Sequence, residues 1–124
     1  MNVSDITPIL NVSDMEASFL WFEAVGFRRA FEWRVDPDSP VTFGAVGNNE
    51  REIFLCLDAQ GGRGDSGAWM SVFVDDVDAA YDACSSAGID IVSPPEDKPW
   101  GVREMHVRHP DGHVLRLGTG PEQG

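Results

Sequence analysis

The residues best equipped for chemistry gather late in the chain. His106, His109 and His113 lie close together, and His109 and His113 flank the turn Pro110-Asp111-Gly112. Imidazoles beside a carboxylate form a donor set suited to Zn²⁺ or Ni²⁺. The plainer reading is favoured: two exposed turn residues and one strand residue, since two ligands on an exposed turn rarely close a site. Cys56 and Cys84 stand apart inside apolar segments and read as reduced thiols, mostly buried, of a cytosolic protein. No Ser-His-Asp arrangement is visible. Gly61-Gly62-Arg63-Gly64 lacks the pattern of a phosphate loop.

The remaining chemistry is aromatic and acidic. The chain has 4 Trp and 7 Phe in 124 residues. Trp21 reads as helix packing, in the core or at a dimer contact. Phe31, Trp33, Phe43, Trp69 and Trp100 fall on strands or their flanking loops. Two readings stand for them: ordinary core aromatics, or a surface that stacks flat heteroaromatic rings. Asp36, Asp38, Glu96, Asp97 and Glu104 are either solvated charges or rim acids that meet a cationic guest. The 9 basic and 21 acidic side chains leave a formal charge of −12. That balance argues against nucleic acid or an anionic membrane as partner and mildly favours a cationic one. No apolar run approaches the roughly 20 residues a membrane helix needs. The opening MNVSDITPIL lacks the basic and apolar regions of a secretory signal, so a cytoplasmic location is expected.

The elements that must position these residues repeat. Val12-Ser13-Asp14-Met15-Glu16-Ala17 aligns with Val74-Asp75-Asp76-Val77-Asp78-Ala79, and Gly26-Phe27 with Gly88-Ile89. The offset is 62 positions, half of the 124 residues. Each half reads βαβββ. In the first, the expected elements are a strand over 7–12, a helix opened by a capping box with Ser13 as N-cap and Glu16 reaching back, and a stop at Gly26. Strands follow over 27–35, 41–46 and 52–57. In the second, they are a strand over 68–74, a helix capped by Asp75 or Asp76 and running to about Ala87, and a strand over 90–92. A Pro-rich loop over 93–99 and strands over 102–108 and 113–118 complete it. The expected organisation is a first module 1–60, a flexible Gly-rich linker 61–67, a second module 68–118 and a frayed tail 119–124.

Two βαβββ modules resemble the plan of the vicinal-oxygen-chelate superfamily, which includes glyoxalase I, extradiol dioxygenases and bleomycin resistance proteins. The sequence looks most like the last of these. Thr7-Pro8-Ile9-Leu10, Asp14, the Phe19–Phe22 stretch and Gly26-Phe27 resemble that family's opening. Pro99-Trp100-Gly101-Val102-Arg103-Glu104-Met105 resembles its PWG-x-RE-F signature, with Met105 for Phe. Arg108-His109-Pro110-Asp111-Gly112-His113 resembles its RDPDG hairpin, with His109 for Asp. The resemblance covers about residues 5–118. It implies an α+β glyoxalase-like fold in which each module curls into a half-open sheet with its helix outside, and a cleft between the two. It also implies a homodimer, whose first strand swaps near Pro8 in some relatives.

The superfamily's enzymes hold a divalent metal at four equivalent positions. By the resemblance these fall on Thr7, Phe54, Trp69 and Arg116, and none is a usual ligand. The resemblance therefore implies no metal, no cofactor and no catalytic residue. It implies a cleft that binds and sequesters a cationic, aromatic, bleomycin-like glycopeptide through Phe31, Trp33, Phe43, Trp69, Trp100, Gly101 and Glu104. The alternatives are a metal-dependent enzyme with a displaced site, and a binder of another small aromatic metabolite on the same fold.

Overall fold

The computed structural model describes residues 1–120. The expected tail over 119–124 thus falls partly outside the described residues. The chain divides into two compact units, Met1–Arg63 and Gly64–Gly124.

The first unit holds β1 (Ile9–Val12), α1 (Met15–Val25), β2 (Arg28–Trp33), β3 (Phe43–Gly47) and β4 (Glu52–Leu57). Its sheet order is β1-β4-β3-β2, with β1 parallel to β4 and the other pairs antiparallel. Met15, Phe19 and Phe22 recur at helical spacing, as the sequence predicts, and all are buried. Leu10, Val12, Val46, Ile53 and Leu55 supply the sheet's share of this core. Each such side chain contributes roughly 1.5–3 kcal/mol by leaving water.

The helix start differs from expectation. Asp14, not Ser13, is the N-cap, and its Oδ1 accepts the Ala17 N–H at 3.0 Å. Glu16 does not close a capping box, because Arg29 on β2 takes it instead. Arg29 donates to Glu16, Glu23 and Glu32 at 2.7–3.1 Å and lies 4.3 Å from the Phe19 ring centre. Three carboxylates raise the Arg29 pKa further above its ordinary value. One cation so placed ties helix to strand more specifically than a cap alone would. Gly26 ends the helix at φ 110°, the left-handed conformation glycine enters without a Cβ penalty.

The second unit repeats the plan with β5 (Trp69–Phe73), α2 (Val77–Ser86), β6 (Asp90–Asp97), β7 (Arg103–Arg108) and β8 (Val114–Thr119). Its order is β5-β8-β7-β6. The 62-residue offset is visible in the register, since Leu10 pairs with Leu55 and Val72 with Leu117. Asp76 caps α2 through the N–H groups of Asp78 and Ala79. Val77, Cys84, Met105, Val107, Leu115 and Leu117 are buried, and burial pushes the Cys84 thiol pKa up.

Three expectations need correction here. The stretch 93–97 is strand, not loop: β6 continues through Pro94-Pro95 to Asp97. It is an edge strand with shifted register around those prolines, the place where missing N–H donors are tolerated. Thr119 belongs to β8, where its hydroxyl accepts the Val77 N–H at 3.1 Å. The Gly-rich stretch is also tied at both ends. Buried Asn11 binds Ala59 and Gly61 by three hydrogen bonds of 2.7–2.9 Å. Gly64–Ser66 forms a short 3-10 turn, and the Gly64 N–H donates to Asp111 O at 2.7 Å.

Candidate functional site

Side chains alternate across a strand, so the sheet face opposite each helix collects every second residue. In the first unit that face carries two cross-strand rows. One runs Phe31, Ala45, Phe54, Ile9; the other runs Trp33, Phe43, Cys56. Phe31, Phe43 and Phe54 form an aromatic triad with ring centres 5.2–6.1 Å apart. Trp33 stands beside them, 51% exposed. Phe31, Trp33, Thr42, Phe43, Cys56 and Leu57 line an open trough of about 610 Å³. Its walls are apolar and flat, suited to stacking. The exposed turn after β2 carries Asp36 and Asp38.

The equivalent face of the second unit is polar. Its rows are Ser71, Arg116, His106, Ser93 and Phe73, Gly118, Glu104, Glu96. Glu104 lies at the centre, only 2% exposed. Its Oε2 accepts from Arg116 Nε at 3.0 Å and His106 Nε2 at 2.7 Å; its Oε1 accepts from Arg116 Nη2 at 3.0 Å and Trp100 Nε1 at 3.2 Å. These donors, Arg116 foremost, pull the Glu104 pKa down to about 2 against the cost of burial. The Trp69 ring meets His106 edge-on at 5.5 Å. Ser71, Phe73, Trp100, Val102, Glu104 and Arg116 line a hollow of about 200 Å³. Gly101, at φ 89°, closes the Lys98–Gly101 turn that carries Trp100.

The seven expected site residues thus divide between the units. Phe31, Trp33 and Phe43 share one face, and Trp69, Trp100 and Glu104 lie at the other, while Gly101 lines the separate hollow at the start of α2. Glu104 is not a rim acid: burial and four donors occupy it. Glu96 pairs with Lys98 and Asp97 with Arg103, which leaves Asp36 and Asp38 as the candidate rim acids without an ion-pair partner among the described residues. Sequence reasoning passed over Phe54 and Arg116 as members of a binding face. The signal was present in Leu115-Arg116-Leu117, where a cation between two core positions must face the other side.

The histidines also differ from expectation. His109 and His113 are each 1% exposed, not exposed turn residues. Their rings lie 5.5 Å apart across the hairpin. His109 Nδ1 accepts the Asp111 N–H, and His113 Nδ1 accepts the Ala68 N–H, both at 3.0 Å. Backbone donors use the lone pairs a metal would need. No group of three His, Cys, Asp or Glu suited to a metal occurs among the described residues. The positions that the resemblance equates with metal ligands, Thr7, Phe54, Trp69 and Arg116, bear side chains whose chemistry does not fit a divalent ion.

A third hollow, about 510 Å³, lies at the start of α2. Three of its acids have structural work: Asp76 caps the helix, and Arg103 bridges Asp78 and Asp97, lowering the Asp78 pKa.

Comparison with known families agrees with this architecture. Residues 5–117 match the Glyoxalase/Bleomycin resistance protein/Dioxygenase superfamily. The chain belongs to that superfamily. Among solved structures it is similar to TioX from Micromonospora sp. ML1, with 24% identity, a TM-score of 0.79, and 96% of this chain and 100% of that one covered. It is also similar to a bleomycin-binding protein complexed with bleomycin, at 22% identity and TM-score 0.72, covering 96% of this chain and 100% of that one. A bleomycin resistance determinant encoded on the transposon Tn5 aligns at 22% identity and TM-score 0.74, covering 97% and 100%. Identities this low establish the shared fold. No curated protein matches significantly. No helix among the described residues is long and apolar enough to cross a membrane.

Proposed function

We propose that this protein binds and sequesters a flat, cationic, bleomycin-type glycopeptide, as a homodimer and without chemical conversion. One observation carries the reading: the Phe31–Phe43–Phe54 triad with Trp33 makes an exposed aromatic trough on a fold shared with a bleomycin-binding protein. The rings of the ligand stack on Trp33 and its neighbours. Asp36 and Asp38 meet its cationic group. Trp69 and Trp100 offer further indole faces, with Glu104 and Gly101 fixing the orientation of Trp100. The large apolar side chains left exposed, Trp33, Trp69, Phe73 and Trp100, support a partner subunit as well as a ligand.

Isothermal titration with bleomycin tests this. The expected result is micromolar or tighter binding with Trp quenching, weakened about tenfold in Trp33→Ala and weakened by rising salt. No heat and no quenching at micromolar bleomycin overturns it. Salt-independent binding removes the role of Asp36 and Asp38.

A further inference from the structure

We propose that the hollow beside Trp100 recognises an acceptor oxygen, a carbonyl or carboxylate carried by a flat aromatic group, and that Arg116 is the residue that reads it. This rests on the reading of the exposed aromatic faces as ligand surfaces, and it names a polar group that such a ligand carries.

The argument begins with what Glu104 has left to offer. A carboxylate accepts about four hydrogen bonds, two at each oxygen. Glu104 already receives two at Oε2, from Arg116 and His106, and two at Oε1, from Arg116 and Trp100. Its burial leaves no open approach. A ligand ammonium entering this hollow therefore finds no acceptor on Glu104.

Arg116 is in the opposite condition. Its Nε and Nη2 are committed to Glu104, but Nη1 has no partner among the described residues. The side chain is 37% exposed. Guanidinium N–H groups only donate, so the group they seek is an acceptor. The bidentate pair also holds the guanidinium plane still, so the free N–H groups keep a fixed direction. The Ser71 hydroxyl, one strand away in the Ser71–Arg116 pair, lines the same hollow and can donate beside it. Trp100 and Phe73, both largely exposed, supply flat apolar walls. Trp100 is itself oriented by its indole bond to Glu104. One carboxylate thus aims both the stacking surface and the donor, and takes no part in contacting the ligand.

The overall charge makes this a demanding claim. A chain of formal charge −12 repels anions at long range. At physiological salt the screening length is about 8 Å, so contacts of hydrogen-bond length decide. Close to Arg116 the Glu104 charge is already neutralised, and the free donor dominates.

Three probes that share one aromatic body separate the possibilities: naphthoate, naphthamide and naphthylmethylamine. Calorimetry on the full chain measures affinity, and heteronuclear NMR locates the contact at the Trp100 indole and Arg116 Nε signals. Naphthoate and naphthamide are expected to bind about tenfold tighter than naphthylmethylamine, with both signals shifting on saturation. Arg116→Lys, which keeps the charge but lacks the fixed donor fork, is expected to weaken that preference. Equal affinities, tighter binding of the amine, no binding of any probe, or shifts confined to Phe31, Trp33 and Phe43 overturn the proposal. If Arg116→Lys fails to fold, the wild-type series decides alone. A failed bleomycin titration with the acceptor preference intact overturns only the bleomycin reading. Bleomycin binding at Trp33 without the preference overturns only the role of Arg116.

Discussion

Arg116 grips the buried carboxylate of Glu104 with two parallel N–H donors, Nε to Oε2 and Nη2 to Oε1, each at 3.0 Å. This is an ion pair in which one partner is enclosed and the other half open. Such a pair tolerates loss of its two members very differently.

Removing the cation is the harsher change. Arg116→Ala leaves Glu104 enclosed with only His106 and Trp100 as donors. We expect a clear loss of stability, read as a lowered urea midpoint at neutral pH. Glu104→Gln keeps shape and removes the charge, and is expected to cost less than Arg116→Ala. Equal losses in the two variants would show that the charge itself is unimportant.

The pair also sets an acid limit. The folded Glu104 pKa, about 2, lies below its ordinary 4.5. A depressed carboxylate stabilises the fold above its unfolded pKa and loses that contribution as pH falls toward the folded value. The Glu104 contribution is therefore complete above about pH 4.5 and fades between 4.5 and 2. Glu104→Gln should flatten thermal stability across that window alone, a shape that differential scanning calorimetry resolves.

Much of the fold was legible in the sequence, for physical reasons that also explain the misses. The apolar spacing of Met15, Phe19 and Phe22 reports local geometry, and the 62-residue echo reports duplication. The boundary of β4 at Glu52–Leu57 followed directly. Long-range partners were less visible. Glu16 looked like a capping-box residue because Arg29, distant along the chain, is its true partner. Pro94-Pro95 read as loop because their tolerance depends on β6 being an edge, which only the strand order reveals. His109 and His113 read as exposed because turns usually are. Their burial comes from Ala68 and Gly64 folding over the hairpin. At the candidate site, the aromatics were legible by type but core and surface placements stood open, and the saturation of Glu104 depended on four residues meeting in space.

That covered hairpin carries a stability window of its own. Burial, outweighing the nearby Asp111 and aided by His113, pushes the His109 pKa down to about 4 from 6.5. The fold thus prefers neutral His109, and the unfolded chain binds the extra proton between these values. The His109 contribution is complete above about pH 6.5 and falls as pH drops toward 4, a window that meets the one assigned to Glu104 only at its acid end. His109→Asn keeps an acceptor for the Asp111 N–H and cannot titrate. It should remove the decline between pH 6.5 and 4, measured as urea midpoints in stepped buffers. A decline that persists unchanged in His109→Asn would assign it to other groups.

The same cover explains why glycine stands at the turn. Gly112 has φ 91°, and a Cβ there would collide with the carbonyl oxygen of Gly64. Both faults act together in Gly112→Ala: a left-handed backbone that alanine resists, and backbone atoms that have no flexible end to move aside. The Gly64 N–H bond to Asp111 O, at 2.7 Å, lies in the path of any relaxation. We expect a loss of about 2–4 kcal/mol, several times the effect of Gly26→Ala, whose Cβ meets nothing within 4 Å although φ is also positive. Comparing the two variants by urea denaturation isolates the collision from the backbone penalty they share. Similar losses in both would mean that the segment over the hairpin yields freely, and that Gly64 is not held in place by Asp111.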